Sequence, residues 1–169
     1  MSDKKLKTLN IGVKEIKKSP GYPSSERLSK GPVAVIECIE EIPCNPCETV
    51  CKKKAIIVGK PITNLPRFLC DECDGCGKCL SICPGLAIFL VDNTFSESEV
   101  SISIPYELLP LPEKGDLVDA IDRNGNIVCG GRIVRVQNPK AFDHTAVVTF
   151  SLLKKYSEIV RNFKLRRDF

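Results

Sequence analysis

One run of cysteines constrains this chain more than any other feature of its sequence. Four cysteines, separated by two, two and three residues, are followed directly by a proline: Cys73, Cys76, Cys79, Cys83 and Pro84. The spacing Cys-x2-Cys-x2-Cys-x3-Cys-Pro is typical of thiolates that hold iron-sulfur clusters. Three closely spaced thiolates bind one cluster, while the fourth points away to a second cluster. The run therefore predicts a partner run that donates one cysteine back.

The partner run lies 32 residues upstream and is imperfect. Shifting the sequence by 32 places superposes four pairs of cysteines: Cys38 on Cys70, Cys44 on Cys76, Cys47 on Cys79, and Cys51 on Cys83. The apolar segments 55–58 and 87–90 coincide as well, which indicates an internal duplication. Glu41 stands where the first cysteine of the upstream run is expected, and Lys52 replaces the proline after its last cysteine.

Crossed donation between the two runs gives two sets of ligands. Thiol set 1 is complete and consists of Cys51, Cys73, Cys76 and Cys79. Thiol set 2 has three thiolates and needs a fourth: Cys44, Cys47 and Cys83, with Cys38 as the candidate. Cys38 lies six residues before Cys44, so residues 39–43 can loop out and present it. The alternatives are Cys70, Glu41 as an oxygen ligand, and a three-iron cluster without a fourth ligand.

Ten cysteines are also compatible with a disulfide scaffold or with zinc sites. A disulfide scaffold is typical of exported proteins, and the sequence shows no charged and then apolar leader, so we expect a reducing, cytoplasmic location. Zinc sites usually combine two Cys-x2-Cys pairs. The downstream run instead has three overlapping steps that end at Pro84, which favours iron-sulfur clusters. Cys129 lies outside both runs, and we interpret it as a small apolar side chain.

The N-terminal arm, residues 1–31, is basic. It carries eight lysine and arginine residues against three acidic residues, whereas the net charge of the whole chain is only +4. No aromatic residues alternate with the lysines to stack on bases, so we do not expect nucleic acid as a partner. A solvated tail and a strap over a partner subunit are the two interpretations. The apolar stretches are too short for a membrane span.

The remaining pattern predicts an α+β fold. Residues 32–92 are expected to form a pseudo-twofold unit of short helices and strands around the cysteines. Residues 93–150 are expected to form a small antiparallel sheet or barrel, because residues 100–104 alternate with period two and Asn124-Gly125 is typical of a hairpin turn. The tail, residues 151–169, has apolar spacing near that of a helix, with a strand as the alternative. A unit of about 60 residues buries little apolar surface, so the clusters are expected to contribute to its stability.

The chain offers few groups for catalysis of its own. Its one histidine, His144, stands beside Asp143, and we interpret it as a surface residue. There is no glycine-rich dinucleotide turn after a strand and no phosphate-binding loop. We therefore assign no catalytic residues to this chain.

Residues 33–92 resemble the dicluster bacterial ferredoxins, through the complete run Cys73 to Pro84 and the imperfect run Cys44 to Cys51. The resemblance implies one-electron transfer through two 4Fe-4S clusters. The string 37–48, with residues 61–66 and the β-rich tail, also resembles small iron-sulfur subunits of flavin-dependent amine or amino-acid dehydrogenases of the sarcosine, proline and hydroxyproline type. This second resemblance implies that Cys38 is the first ligand of thiol set 2 and that the flavin belongs to a partner subunit of a hetero-oligomer.

These observations predict an electron-transfer subunit of a larger oxidoreductase. Its partner would be a flavoprotein, and its cofactors would be two 4Fe-4S clusters, of which the second could instead be 3Fe-4S. Two other functions are compatible with the same residues: a zinc- or cluster-binding regulatory or nucleic-acid-binding module, and a stand-alone ferredoxin.

Overall fold

Strands dominate the computed structural model, which describes residues 12–142 and 145–166. The strands are β1 Val33–Ile36, β2 Ile56–Ile57, β3 Arg67–Phe68, β4 Ile88–Asp92, β5 Glu99–Tyr106, β6 Leu117–Asp122, β7 Ile127–Gln137, β8 Ala146–Leu153 and β9 Val160–Leu165. The α-helices are short: α1 Val13–Ile16, α2 Ser25–Leu28, α3 Pro46–Val50 and α4 Lys78–Ser81. Three 3₁₀ turns span Cys70–Glu72, Lys140–Phe142 and Lys154–Tyr156. The fold is therefore mixed α and β, as predicted.

Seven of the strands form one antiparallel sheet. Their order is β1-β4-β5-β8-β7-β6-β9, and β2 pairs with β3 in a separate two-stranded sheet. Strand β4 pairs with β1 on one side and with β5 on the other. Because β4 lies in the predicted unit 32–92 and β5 in the predicted unit 93–150, the sheet crosses the boundary drawn from the sequence. The two predicted units share one sheet.

Alternating residues build the core of this sheet. Val100, Ile102 and Ile104 of β5 are almost fully buried and lie opposite three buried residues of β8: Leu152, Phe150 and Val148. Successive side chains of a strand point to opposite faces, so period-two spacing places these six apolar side chains on one face. The other face of β5 carries Ser103, whose hydroxyl lies 2.8 Å from that of Thr149.

The hairpin predicted at Asn124-Gly125 is confirmed. It joins β6 to β7, and Gly125 has a φ of 83°, a conformation that glycine adopts without strain. The carboxylate of Asp122 accepts hydrogen bonds from the backbone N–H groups of Asn124 and Asn126 at 2.8 and 2.9 Å.

The C-terminal tail forms strand β9, so the expectation of a terminal helix is wrong. Strand β9 pairs with β6. Phe163 stacks on Tyr106 of β5 with 5.2 Å between ring centroids. Pairing with an available strand edge and packing on the core outweigh the helical spacing of the tail.

Four parts of the sequence lie outside the described residues: residues 1–11 of the basic arm, Asp143, His144 and residues 167–169.

An ion pair at Glu37 links the two edges of the sheet. This residue directly follows β1, and its carboxylate accepts hydrogen bonds from Arg161 of β9 at 2.6 Å and from Arg123 of the β6–β7 turn at 2.5 and 2.7 Å. The side chains of Glu37 and Arg161 are only 8% and 4% exposed. Burial raises the pKa of Glu37, but the two guanidinium groups outweigh this effect and hold the pKa below its usual value. The buried ion pair therefore fixes the backbone immediately before Cys38.

In the part of the chain that the structure describes, no helix combines the length and the hydrophobicity that a membrane span requires. The longest α-helix there, α3, has five residues.

Replacing Glu37 tests the ion pair that links the two edges of the sheet. We expect Glu37→Gln to lower the free energy of unfolding by about 3 kcal/mol, because it leaves two guanidinium groups without their carboxylate. The matched control is Glu158→Gln, which removes an ion pair with Lys17 whose side chains are 39% and 47% exposed. Its expected cost is below about 1 kcal/mol. Urea unfolding measures both, and equal effects would contradict this role for Glu37.

Candidate metal centres

The two cysteine runs fold in the same way, 32 residues apart. Helix α3 begins at Pro46 and helix α4 at Lys78, and each leads to the last cysteine of its run. The Sγ of Cys51 accepts a hydrogen bond from the N–H of Ala55 at 3.3 Å, and the Sγ of Cys83 accepts one from Ala87 at 3.5 Å. The turn between each pair includes a residue with positive φ: 51° at Lys54 and 50° at Leu86. The duplication in the sequence is therefore also a repeat of local structure.

Thiol set 1 surrounds a small cavity. All four of its cysteines line a cavity of about 80 Å³, together with apolar residues that include Ala34, Ile56, Phe68 and Leu90. Burial raises the pKa of the Cys79 thiol, and the charges of the other three thiols raise it further. The four cysteines that the spacing groups together therefore lie close enough for three of them to affect the pKa of the fourth.

Thiol set 2 also comes together, and it includes Cys38. Burial raises the pKa of Cys47 to about 11, and a hydrogen bond from the backbone of Glu48 lowers it. The thiols of Cys83, Cys44 and Cys38 each raise the same pKa. Burial likewise raises the pKa of Cys38, with further contributions from Cys83 and Cys44. Cys38 is therefore a neighbour of the other three thiols.

The rival for the fourth position points elsewhere. Cys70 begins a 3₁₀ turn, and its Sγ lies 3.9 Å from the hydroxyl of Ser24 at the start of helix α2. Glu41, the alternative oxygen ligand, is exposed in the loop between Cys38 and Cys44. Cys129 is half-buried in β7, outside both sets.

Across residues 12–142 and 145–166, no three His, Cys, Asp or Glu side chains are arranged to hold a single metal ion. Thiolates around one zinc ion lie about 2.3 Å from the metal, which brings their sulfur atoms within about 4 Å of one another. In a 4Fe-4S cluster each thiolate binds a different iron, so the sulfur atoms are further apart. Among the described residues, no such single-metal arrangement is found at either thiol set.

A buried guanidinium group holds the loop of thiol set 1. Arg27 of helix α2 is 8% exposed. Its Nε donates to the carbonyl of Cys70 at 3.0 Å, and its Nη2 donates to the carbonyls of Cys73 and Pro32 at 2.7 and 3.0 Å. Its Nη1 donates to the carbonyl of Gly31 at 3.2 Å. Arg27 therefore ties the segment before β1 to the backbone on both sides of the first cysteine of the downstream run.

Sequence reasoning counted Arg27 as one more charge of a basic arm and missed this role. The only local signal is Ser24, whose hydroxyl accepts a hydrogen bond from the N–H of Arg27 and caps helix α2. Gly75 makes a second close contact in the same loop. Its φ is +70°, and a Cβ at this position would lie 2.7 Å from the carbonyl oxygen of Pro32. The cluster loop and the segment before β1 are therefore packed backbone against backbone.

Comparison with protein-family models, with curated proteins and with solved structures finds no match to this chain. The grouping of the eight cysteines and the contacts around them are therefore the basis for a proposed function.

Replacing Arg27 tests how the loop is held. We expect Arg27→Lys to lower the free energy of unfolding by about 2 kcal/mol, because an ammonium group cannot reproduce the planar fork that reaches four carbonyl groups. The matched control is Arg67→Lys at an exposed position in β3, with an expected effect within about 0.5 kcal/mol. Urea unfolding of both variants checks the prediction, which is wrong if the two substitutions have the same effect.

Proposed function

We propose that this chain is the electron-transfer iron-sulfur subunit of a larger oxidoreductase. It passes single electrons between a flavin on a partner subunit and a downstream acceptor. One observation carries the proposal: eight cysteines group into two sets of four, and each run contributes one cysteine to the set of the other run. Cys51 joins three thiols of the downstream run, and Cys83 joins three thiols of the upstream region.

The lining of thiol set 1 and one backbone hydrogen bond to a sulfur of each set support the assignment of 4Fe-4S clusters. The lining of the cavity at thiol set 1 is mainly apolar, and such surroundings limit the access of water to a cluster. The backbone N–H groups of Ala55 and Ala87 point at cysteine sulfur atoms, and hydrogen bonds of this kind help to set the reduction potential of a cluster. In this proposal the eight thiolates anchor the iron, and the chain supplies no acid, base or nucleophile.

The shared helices support transfer between the two sets. Helix α3 carries Cys47 of thiol set 2 and is followed directly by Cys51 of thiol set 1. Helix α4 carries Cys79 of thiol set 1 and is followed by Cys83 of thiol set 2. Each of these short segments thus connects the two thiol sets, so clusters held by them would be near neighbours, as a relay of single electrons requires.

The resemblance to dicluster ferredoxins and to small iron-sulfur subunits of amine and amino-acid dehydrogenases supports the same proposal. It suggests a flavin-dependent partner subunit in a hetero-oligomer and a cytoplasmic location. The large sheet is an addition that a freely diffusing ferredoxin does not need. Purification of the natural complex tests this point, since stoichiometric recovery with a flavoprotein is expected and recovery only as a free monomer would contradict it.

Metal analysis of anaerobically purified protein tests the cofactor. We expect a brown protein with about eight iron and eight sulfide ions per chain, because each cubane contains four of each. Cys38→Ser should lose between one and four of these irons, whereas the control Cys70→Ser should retain all of them. A colourless protein with stoichiometric zinc would contradict the proposed function. Equal iron loss in both variants would contradict the assignment of Cys38.

A further inference from the structure

Cys76 is the outermost of the eight candidate ligands. It is exposed, whereas Cys79 is buried and the other six are partly buried. Cys76 lines the cavity of thiol set 1 and also a groove of about 430 Å³ that continues over Ser103 and Thr149 to Arg135. An electron that enters or leaves a cluster held by thiol set 1 would therefore have the least protein to cross at Cys76.

The surface around Cys76 is basic. Lys52, Lys53 and Lys78 line the cavity, and Arg135 lines the groove. The acidic residues among the lining of these two spaces are Asp74 and Asp92. The carboxylate of Asp92 already accepts hydrogen bonds from the backbone N–H and the hydroxyl of Thr94, at 2.8 and 2.7 Å. The carboxylate of Asp74 accepts a hydrogen bond from the N–H of Cys76 at 3.2 Å. The two linings therefore carry four cationic side chains against two carboxylates, a net positive charge.

The surface around thiol set 2 has the opposite character. A cavity of about 410 Å³ beside Cys83 is lined by Ile82 and Leu86, which are 42% and 40% exposed, and its charged lining residue is Glu107. Glu40 and Glu41 are exposed in the loop between Cys38 and Cys44. The lining of this cavity and the loop after Cys38 are therefore acidic and apolar. The two thiol sets therefore open on surfaces that suit different partners.

We infer that the basic surface around Cys76 is the docking site of an acidic one-electron carrier protein. The inference rests on the proposed function, since it needs a redox centre at thiol set 1. In each encounter one electron passes between the carrier and this chain, so that one is reduced and the other oxidised by one electron, with no bond formed and no proton transferred. Complementary charge speeds such encounters by about 10-fold to 1,000-fold at low salt. Lys52 and Lys53 are exposed and supply this attraction.

Reversal of two lysines at the rim tests the inference. The chain is reduced with dithionite, freed of excess reductant and mixed by stopped flow with oxidised flavodoxin, an acidic carrier, or with oxidised cytochrome c, a basic carrier. The test variant is Lys52→Glu/Lys53→Glu. The control variant is Lys114→Glu/Lys164→Glu, which makes the same change in net charge at two exposed residues outside both linings.

At low salt we expect the rate constant with flavodoxin to fall about 10-fold or more in the test variant and less than about 3-fold in the control variant. The rate constant with cytochrome c should not fall in the test variant. In 1 M salt the Debye length is about 3 Å, so the difference between the variants should disappear. Lys53→Glu alone leaves the residue next to Cys51 unchanged, and its expected effect on the logarithm of the rate constant is about half as large.

Three results would overturn the inference. The first is an equal effect of the test and control variants with flavodoxin. The second is a parallel fall with both carriers together with a shifted reduction potential, since the lysines then act on the cluster and not on the carrier. The third is a lack of salt dependence. Iron content and the visible spectrum are measured first on the unchanged chain, because a colourless, iron-free protein contradicts the proposed function itself.

Discussion

Helices α3 and α4 pack against each other so that each cysteine run completes the thiol set of the other run. The local path of the chain is the same in both copies: a short helix, a cysteine whose sulfur accepts a backbone hydrogen bond, and a residue with positive φ. The same turn therefore presents Cys51 and Cys83 outward from their own runs. Because each thiol set takes one cysteine from the other run, neither set is complete without both halves of the duplication.

Charged residues far along the chain hold this arrangement on the sheet. Arg161, which is 124 positions from Glu37, binds its carboxylate beside Cys38, and Arg123 binds it from 86 positions away. Arg27 binds the carbonyl groups of Cys70 and Cys73, 43 and 46 positions away. The segment before β1 and strand β9 thus converge on the two cysteine regions. The segment before β1 and strand β9 are therefore connected to the candidate centres by buried or partly buried contacts.

Much of the candidate site followed from the sequence because the spacing of cysteines is a local property. The crossed grouping was predicted from the iron-sulfur spacing rule and the 32-residue repeat. The preference for Cys38 over Cys70 came from the length of loop 39–43 and from the second family resemblance. Strand β5 and the hairpin at Gly125 were also encoded locally, in alternation and in a turn signal. The continuous sheet, strand β9 and the role of Arg27 depend on pairings between distant segments. The sequence of the basic arm does not reveal whether Arg27 is exposed to solvent or buried and bound to four carbonyl groups.

The central claim is that the two thiol sets surround separate iron clusters, and anomalous X-ray scattering tests it most directly. Crystals of anaerobically purified protein are measured on both sides of the iron absorption edge and of the zinc edge. The account predicts two iron peaks, one among Cys51, Cys73, Cys76 and Cys79 and the other among Cys38, Cys44, Cys47 and Cys83. A signal at the zinc edge in these positions, or no iron peak at either thiol set, would contradict it.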